Sequence, residues 1–248
     1  MQLLTGRPWW WLAGATGLAL GLVAFGVDEI PQPGDRFAEM LFSTTFVWGA
    51  AALVCGYLSH DALRAVATAT GALALATVSY YLLVLLVSRR WAGGMLEDGS
   101  SADLYGIMSI GRATVVWLAV AAVVGPVMGW LGHLVAGGSR RTGALAAGVA
   151  FGALAAESAH LLWTYPMWLT VGREYQVQYA IAALGLCLAV LTTVVLLRRR
   201  PGGVAWPLFL VCAVVTLVGA VLAWQVLEAW RNVGFEALDA PVPRLLGR

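Results

Sequence analysis

The chain has 248 residues, of which 60% are hydrophobic and 11% charged, with a formal net charge of +2 and a mean hydropathy of +0.81. A soluble domain carries about 25% charged residues, so this chain cannot cover itself with polar surface in water and reads as an all-α, polytopic integral membrane protein. All fifteen basic residues are arginine and they gather at segment ends, which argues against a nucleic-acid partner.

A membrane-crossing helix needs about 20 apolar residues, and seven stretches qualify, giving one transmembrane domain over residues 1–248. The first, residues 8–27, opens on Trp9, Trp10 and Trp11, an interfacial aromatic cluster. Its apolar run after Arg7 has no A-x-A cleavage site before Asp28, so it reads as a retained span rather than a signal peptide. Pro31, Pro33 and Gly34 break it from the second, residues 37–58. Ser59, His60 and Asp61 supply capping side chains for the third, residues 62–87. Gly93, Gly94, Gly99, Ser100 and Ser101 predict a flexible loop before the fourth, residues 104–135, which Pro126 is expected to kink. The fifth covers residues 142–165. The sixth, residues 175–197, ends on Arg198, Arg199 and Arg200, and the seventh covers 204–230.

Cys55, Cys187 and Cys212 lie far apart in apolar runs and read as small buried residues. Gly125/Gly129 and Gly148/Gly152 are G-x-x-x-G pairs that permit close helix approach. With the N-terminus inside, seven arginines fall on each side, but three of the outer ones lie in the C-terminal tail, which weighs little in orientation. The expected placement is a multi-pass protein of the cell membrane, N-terminus cytoplasmic and C-terminus outside.

The polar residues inside the spans are distributed unevenly. Glu157 and His160 stand one turn apart in the fifth span, roughly 12 Å and 7 Å from its outer end at 1.5 Å per residue. Arg112, at a similar depth in the fourth, is the expected partner of Glu157. Such a pair either joins two helices or keeps an acid ionised, whereas an unpaired Glu157 is a protonated acid able to donate. Tyr80 and Tyr81 in the third span, Thr44 and Thr45 in the second with Glu39 above them, and Gln225 and Glu228 in the seventh lie toward the same side. Tyr179 at the start of the sixth, Asp28 at the end of the first, and Trp48 and Trp163 join them. The opposite halves are nearly pure Ala, Val, Leu and Gly. Ionisable residues inside a membrane are costly and mark functional sites. The single Glu-x-x-His lacks the second carboxylate–histidine set of a di-metal centre, so neither metal nor cofactor is expected.

An aromatic-walled, dry cavity with a few acids suits a lipophilic substrate that develops positive charge. Aromatic faces stabilise cations by about 0.5–2 kcal/mol each, and a desolvated carboxylic acid starts such a reaction by protonation. In its length and seven-helix plan the chain resembles the small membrane-integral terpene cyclases of fungal meroterpenoid and bacterial indole-sesquiterpenoid pathways. That resemblance implies proton-initiated cyclisation, an isomerase or lyase type of reaction in terpenoid biosynthesis, on a prenylated small molecule drawn from the membrane lipid. The runs FSTTFVWGAAALVCGYL and TVSYYLLVLLV resemble those of small actinobacterial membrane proteins.

On this reading Glu157 is the preferred acid and its replacement by Gln is expected to abolish product. Asp28, Glu39 and Glu228 are further candidates, and His160 and Arg112 tune or orient. Tyr80, Tyr81 and Trp163 line the cation path, with Thr44, Trp48, Tyr179 and Gln225 as further substrate-binding candidates. Two other classes of function compete. A small transporter or channel would use Glu157 and Arg112 as a coupling pair. A non-catalytic receptor or scaffold would use the loops at 88–103 and 166–174.

Overall fold

The structure, a computed structural model, describes the backbone of residues 9–30, 41–42, 44–96, 98–164 and 173–239, with side chains over 10–30, 41–42, 44–96, 98–163 and 176–226. Seven helices account for nearly all of it: α1 (Trp9–Asp28), α2 (Thr45–Tyr57), α3 (Ala62–Leu83), α4 (Asp103–Gly137), α5 (Arg140–Thr164), α6 (Arg173–Arg199) and α7 (Trp206–Asp239). All but α2 are long and apolar enough to cross a membrane. The chain is a polytopic helical membrane protein. Its exposed apolar side chains run along α4, from Val115 to Trp130, and along α7, from Leu210 to Val226, as a lipid-facing surface requires.

Short α2 is the centre of the bundle. It touches α1, α3, α4, α5 and α6, and Ala52, Leu53 and Cys55 on it are essentially inaccessible. On its flanks α1 packs along α3, and α7 along α5. Small residues make these crossings possible. A Cβ at Gly56 would stand 2.1 Å from the Gly129 carbonyl oxygen, and one at Gly132 would stand 2.2 Å from that of Leu53, so α2 and α4 meet backbone to backbone. The second G-x-x-x-G pair serves α5 and α7: Gly148 lies under Cys212, Gly152 under Thr216, and the Thr216 hydroxyl donates to the Gly148 carbonyl at 2.9 Å. Gly56→Val is therefore expected to destabilise the protein by about 3 kcal/mol or more, since neither backbone can retreat. Thermal unfolding in detergent reads this, and an unchanged midpoint would contradict the close packing.

The elements follow the sequence pattern closely, with four differences. First, the second span is interrupted: Leu41 and Phe42 are helical, Thr44 is not, and α2 starts afresh at Thr45 with 13 residues, about 20 Å. Thr44 has an extended backbone (φ −68°, ψ 145°), and its hydroxyl donates to the Leu41 carbonyl at 2.6 Å, a local bond that competes with helix. Second, α4 extends the expected fourth span at both ends, to 35 residues and about 52 Å, with Pro126 inside it. Third, the loop after α3 is tied down. Met95 bridges Ser101, the Gly93 N–H donates to Asp103 at 2.9 Å, and Asp98 accepts from the Ser100 hydroxyl and N–H, which hold its carboxyl below the usual range. Fourth, only Cys55 is buried; Cys187 is exposed and Cys212 is partly covered, its thiol near the Leu145 carbonyl.

Candidate functional site

Asp28 closes α1, and three neighbours from α3 and its following turn are arranged around it. Asp61 caps α3 by accepting from the Arg64 N–H, as the sequence leads one to expect. At its other end the helix widens into a π-helical turn, Val84–Ser88, and stops at Arg89, which is left-handed (φ 48°). This reversal, held by the Arg89 N–H on the Val84 carbonyl at 3.1 Å, aims Arg90 back at the end of α1. Its guanidinium donates to Glu29 Oε1 at 2.8 Å, to the Asp28 carbonyl at 3.0 Å and to Asp28 Oδ2 at 3.4 Å. Partial burial opposes the Arg90 charge, but the Glu29 hydrogen bond and the two carboxylates outweigh it and raise the pKa. Tyr80, in the last turn of α3, donates its phenol hydrogen to the same Asp28 Oδ2.

Beside this cluster lies a cavity of about 180 Å³, lined by Ala24 and Asp28 of α1, Phe42, Trp48 of α2, Thr77, Tyr80 and Tyr81 of α3, and Trp117 of α4. Tyr80 and Tyr81 meet edge to face, ring centroids 4.9 Å apart. The Trp48 indole is fixed by its N–H on the Phe42 carbonyl at 3.0 Å. A second hollow of about 70 Å³ continues from the first, sharing Trp48, Thr77 and Trp117, and ends at Thr45. Its remaining walls, including Leu73, Ala121 and Val124, are apolar. An apolar cavity of about 150 Å³ holds a benzene-sized molecule, so the larger hollow takes one compact hydrocarbon group. Trp117 is 46% exposed, so the α4 wall is the one a membrane-dissolved molecule meets first.

Glu157 lies just beyond the end of this cleft. Its Oε2 accepts from the Thr45 N–H and from the Thr45 hydroxyl, both at 2.8 Å. The carboxylate therefore sits on the first turn of α2, where free N–H groups and the helix dipole favour an anion. The partner expected from depth is not used. Arg112 is exposed on α4 and pairs with no acid among the described residues. The uncharged part of α4 starts only after Arg112, and a helix this long extends past the hydrocarbon, so equal distances from two helix ends do not mean equal depths.

The structure brings together Asp28, Tyr80, Tyr81 and Trp48 of the expected site, with Thr44 at the helix break beside Thr45. His160 and Tyr179 are buried and engaged with neighbours, and neither lines either hollow. Trp163, at 77% exposure, and Gln225 point outward and line no part of it. Glu39 lies outside the described residues. Glu228 falls on α7, but its side chain is also outside them. The sequence reading passed over Arg90, Glu29, Phe42 and Thr77 as site residues. Thr77 was accessible to it, three and four positions before Tyr80 and Tyr81 and hence on their face of α3. Arg90 was not, because its direction depends on the left-handed turn at Arg89. Comparison with models of protein families, with curated proteins and with solved structures finds nothing that matches this chain.

Proposed function

We propose that the protein is a membrane-integral cyclase that protonates a prenylated, lipophilic substrate and folds the resulting cation against aromatic walls. One observation supports this reading: a cavity walled by Phe42, Trp48, Tyr80, Tyr81 and Trp117 has, among the described residues, one carboxylate, Asp28, on its lining. Asp28 is the acid on this reading, because it lines the cavity, whereas Glu157 lies beyond the cleft's end with its Oε2 on the first turn of α2. Asp28 is less exposed than Glu29, 17% against 44%, and its Oδ2 is occupied by Tyr80 and Arg90, so Oδ1 is the oxygen that serves the substrate on this reading.

In the reaction the proton of the Asp28 carboxyl passes to a terminal alkene carbon or epoxide oxygen. A neighbouring double bond attacks the cation and closes a ring, and the ring cation loses a proton back to the Asp28 carboxylate. Atoms balance and the product is an isomer. Each aromatic face contributes about 0.5–2 kcal/mol to the cation. On this reading the arginine-rich end of the bundle, at Arg200, faces the cytoplasm and the cleft serves the opposite half of the bilayer.

The test is to incubate membranes containing the protein with a farnesylated phenol and with its terminal epoxide. A product of unchanged mass and altered retention, absent from membranes lacking the protein, is expected from at least one. Unchanged substrate across prenylated phenols, indoles and quinols would sink the proposal. A second reading, a transporter, draws support from α2 itself: a helix restarted after a break, with a carboxylate at its N-terminus, is a device of transport proteins. Proton or ion flux into proteoliposomes, without chemical change of any solute, would select it.

A further inference from the structure

We infer that the end of the bundle opposite the cleft carries a binding site for a phosphate-bearing anion, formed by the first turn of α5 and the buried guanidinium of Arg200. Arg200 follows α6 and is only 6% exposed. Its Nη2 donates to the carbonyls of Gly138 and Ser139, at 2.6 and 3.0 Å, and so caps the C-terminus of α4. That cap uses one of its three nitrogens. Nε and Nη1 are buried with no acceptor, and Nη1 lies against the first turn of α5, where a Cβ at Gly143 would stand 1.8 Å from it. A buried charge with half its donors unpaired is costly. The missing partner is an acceptor, and the surroundings specify a negatively charged one.

The first turn of α5 provides the rest of the site. Ser139 is its N-cap, accepting from the Thr142 N–H at 3.1 Å, which leaves the N–H groups of Arg140 and Arg141 free at the positive end of a 25-residue helix. The side chains of Arg140 and Arg141 are exposed beside it, as are those of Arg198 and Arg199 one turn or less before Arg200. Among the described residues the acid of this end is Asp61, already paired with Arg64 at 3.0 Å. Five arginines therefore share an uncompensated field around one elbow of the chain. Phosphate oxygens match both the fork of a guanidinium and the open amides of a helix start. A small opening of the elbow at Gly137–Gly138 puts one oxygen on the Nε–Nη1 edge while Arg140 and Arg141 hold the others. Because α4, α5 and α6 all end or begin here, the site lies at headgroup depth. A phospholipid headgroup and free inorganic phosphate share this chemistry.

The full-length protein in nanodiscs of phosphatidylcholine, with and without phosphatidylglycerol, tests the site by thermal unfolding and by the lipid retained in native mass spectra. Phosphatidylglycerol is expected to raise the midpoint and to be retained about tenfold over phosphatidylcholine, as a few arginines at a lipid surface give. Arg200→Gln is expected to lower that preference about fivefold, near the share of one arginine. The double variant Arg140→Gln/Arg141→Gln, which leaves the α4 cap untouched, is expected to lower it at least as much. Inorganic phosphate added to phosphatidylcholine nanodiscs separates the sources. Stabilisation by phosphate that also competes with phosphatidylglycerol identifies a free-phosphate site, and no response beside a clear lipid effect identifies a headgroup site. Equal retention of both lipids with no phosphate response overturns the inference, as does full preference in the double variant. If Arg200→Gln does not fold, the wild-type and double-variant measurements decide.

Discussion

Asp28→Asn is expected to lower the yield of cyclised isomer by about 10²- to 10⁴-fold, the usual worth of a positioned general acid, while the protein remains folded. Asparagine keeps a carbonyl oxygen for the Tyr80 hydroxyl, and Arg90 retains Glu29 at 2.8 Å, so the cluster loses its transferable proton but little of its architecture. The measurement is product per mole of folded protein, with folding read from tryptophan fluorescence and gel filtration. Product within about threefold of wild type would remove Asp28 from the role of general acid. A variant with normal tryptophan emission but no product would place the defect in chemistry.

Glu157 answers the complementary question. Glu157→Leu is expected to cost about 4 kcal/mol, because it leaves the Thr45 N–H and hydroxyl without an acceptor in an apolar surrounding, each worth about 1–3 kcal/mol. Glu157→Gln keeps an amide oxygen in the same place. It is expected to cost about 1–2 kcal/mol, the difference between a charged and a neutral acceptor, and to retain most of the product. Loss of product in a stable Glu157→Gln protein would reverse the two assignments and make Glu157 the acid. The pair of carboxylates thus separates by experiment into one that reacts and one that holds a helix.

Much of the fold was legible because bilayer thickness imposes one length on every span. The six long helices begin and end within a few residues of their expected limits, apart from the far end of α7, and Asp61 caps α3 as its position suggests. The exception is instructive. Nothing in the hydropathy of residues 37–58 announces the break before Thr45, because it comes from a threonine hydroxyl turned onto its own backbone and from a carboxylate 112 positions away. The side on which polar groups gather was readable from their place along each span. Which of them meet was not, since that depends on helix rotation and tilt. Depth counting paired Glu157 with Arg112 because it took every helix end to lie in one plane, whereas α4 is almost three times as long as α2. Tyr80, Asp28 and Trp48 were selected for their type and side, and the bend at Arg89 that adds Arg90 to them has no sequence signature of its own.

The link between Thr45 and Glu157 also sets a timetable for biogenesis. The two are made 112 residues apart, so at roughly 5–20 residues per second the start of α2 waits about 5–20 s on the ribosome for its acceptor. During that interval the first turn of α2 lacks the carboxylate to which its Thr45 N–H and hydroxyl donate. The α1–α3 pair, whose small-residue contact joins Gly17 and Gly21 to Ala72 and Ala76, can form beforehand. Emergence of α5 is therefore the event that seats α2, and with it Trp48, into the wall of the cleft.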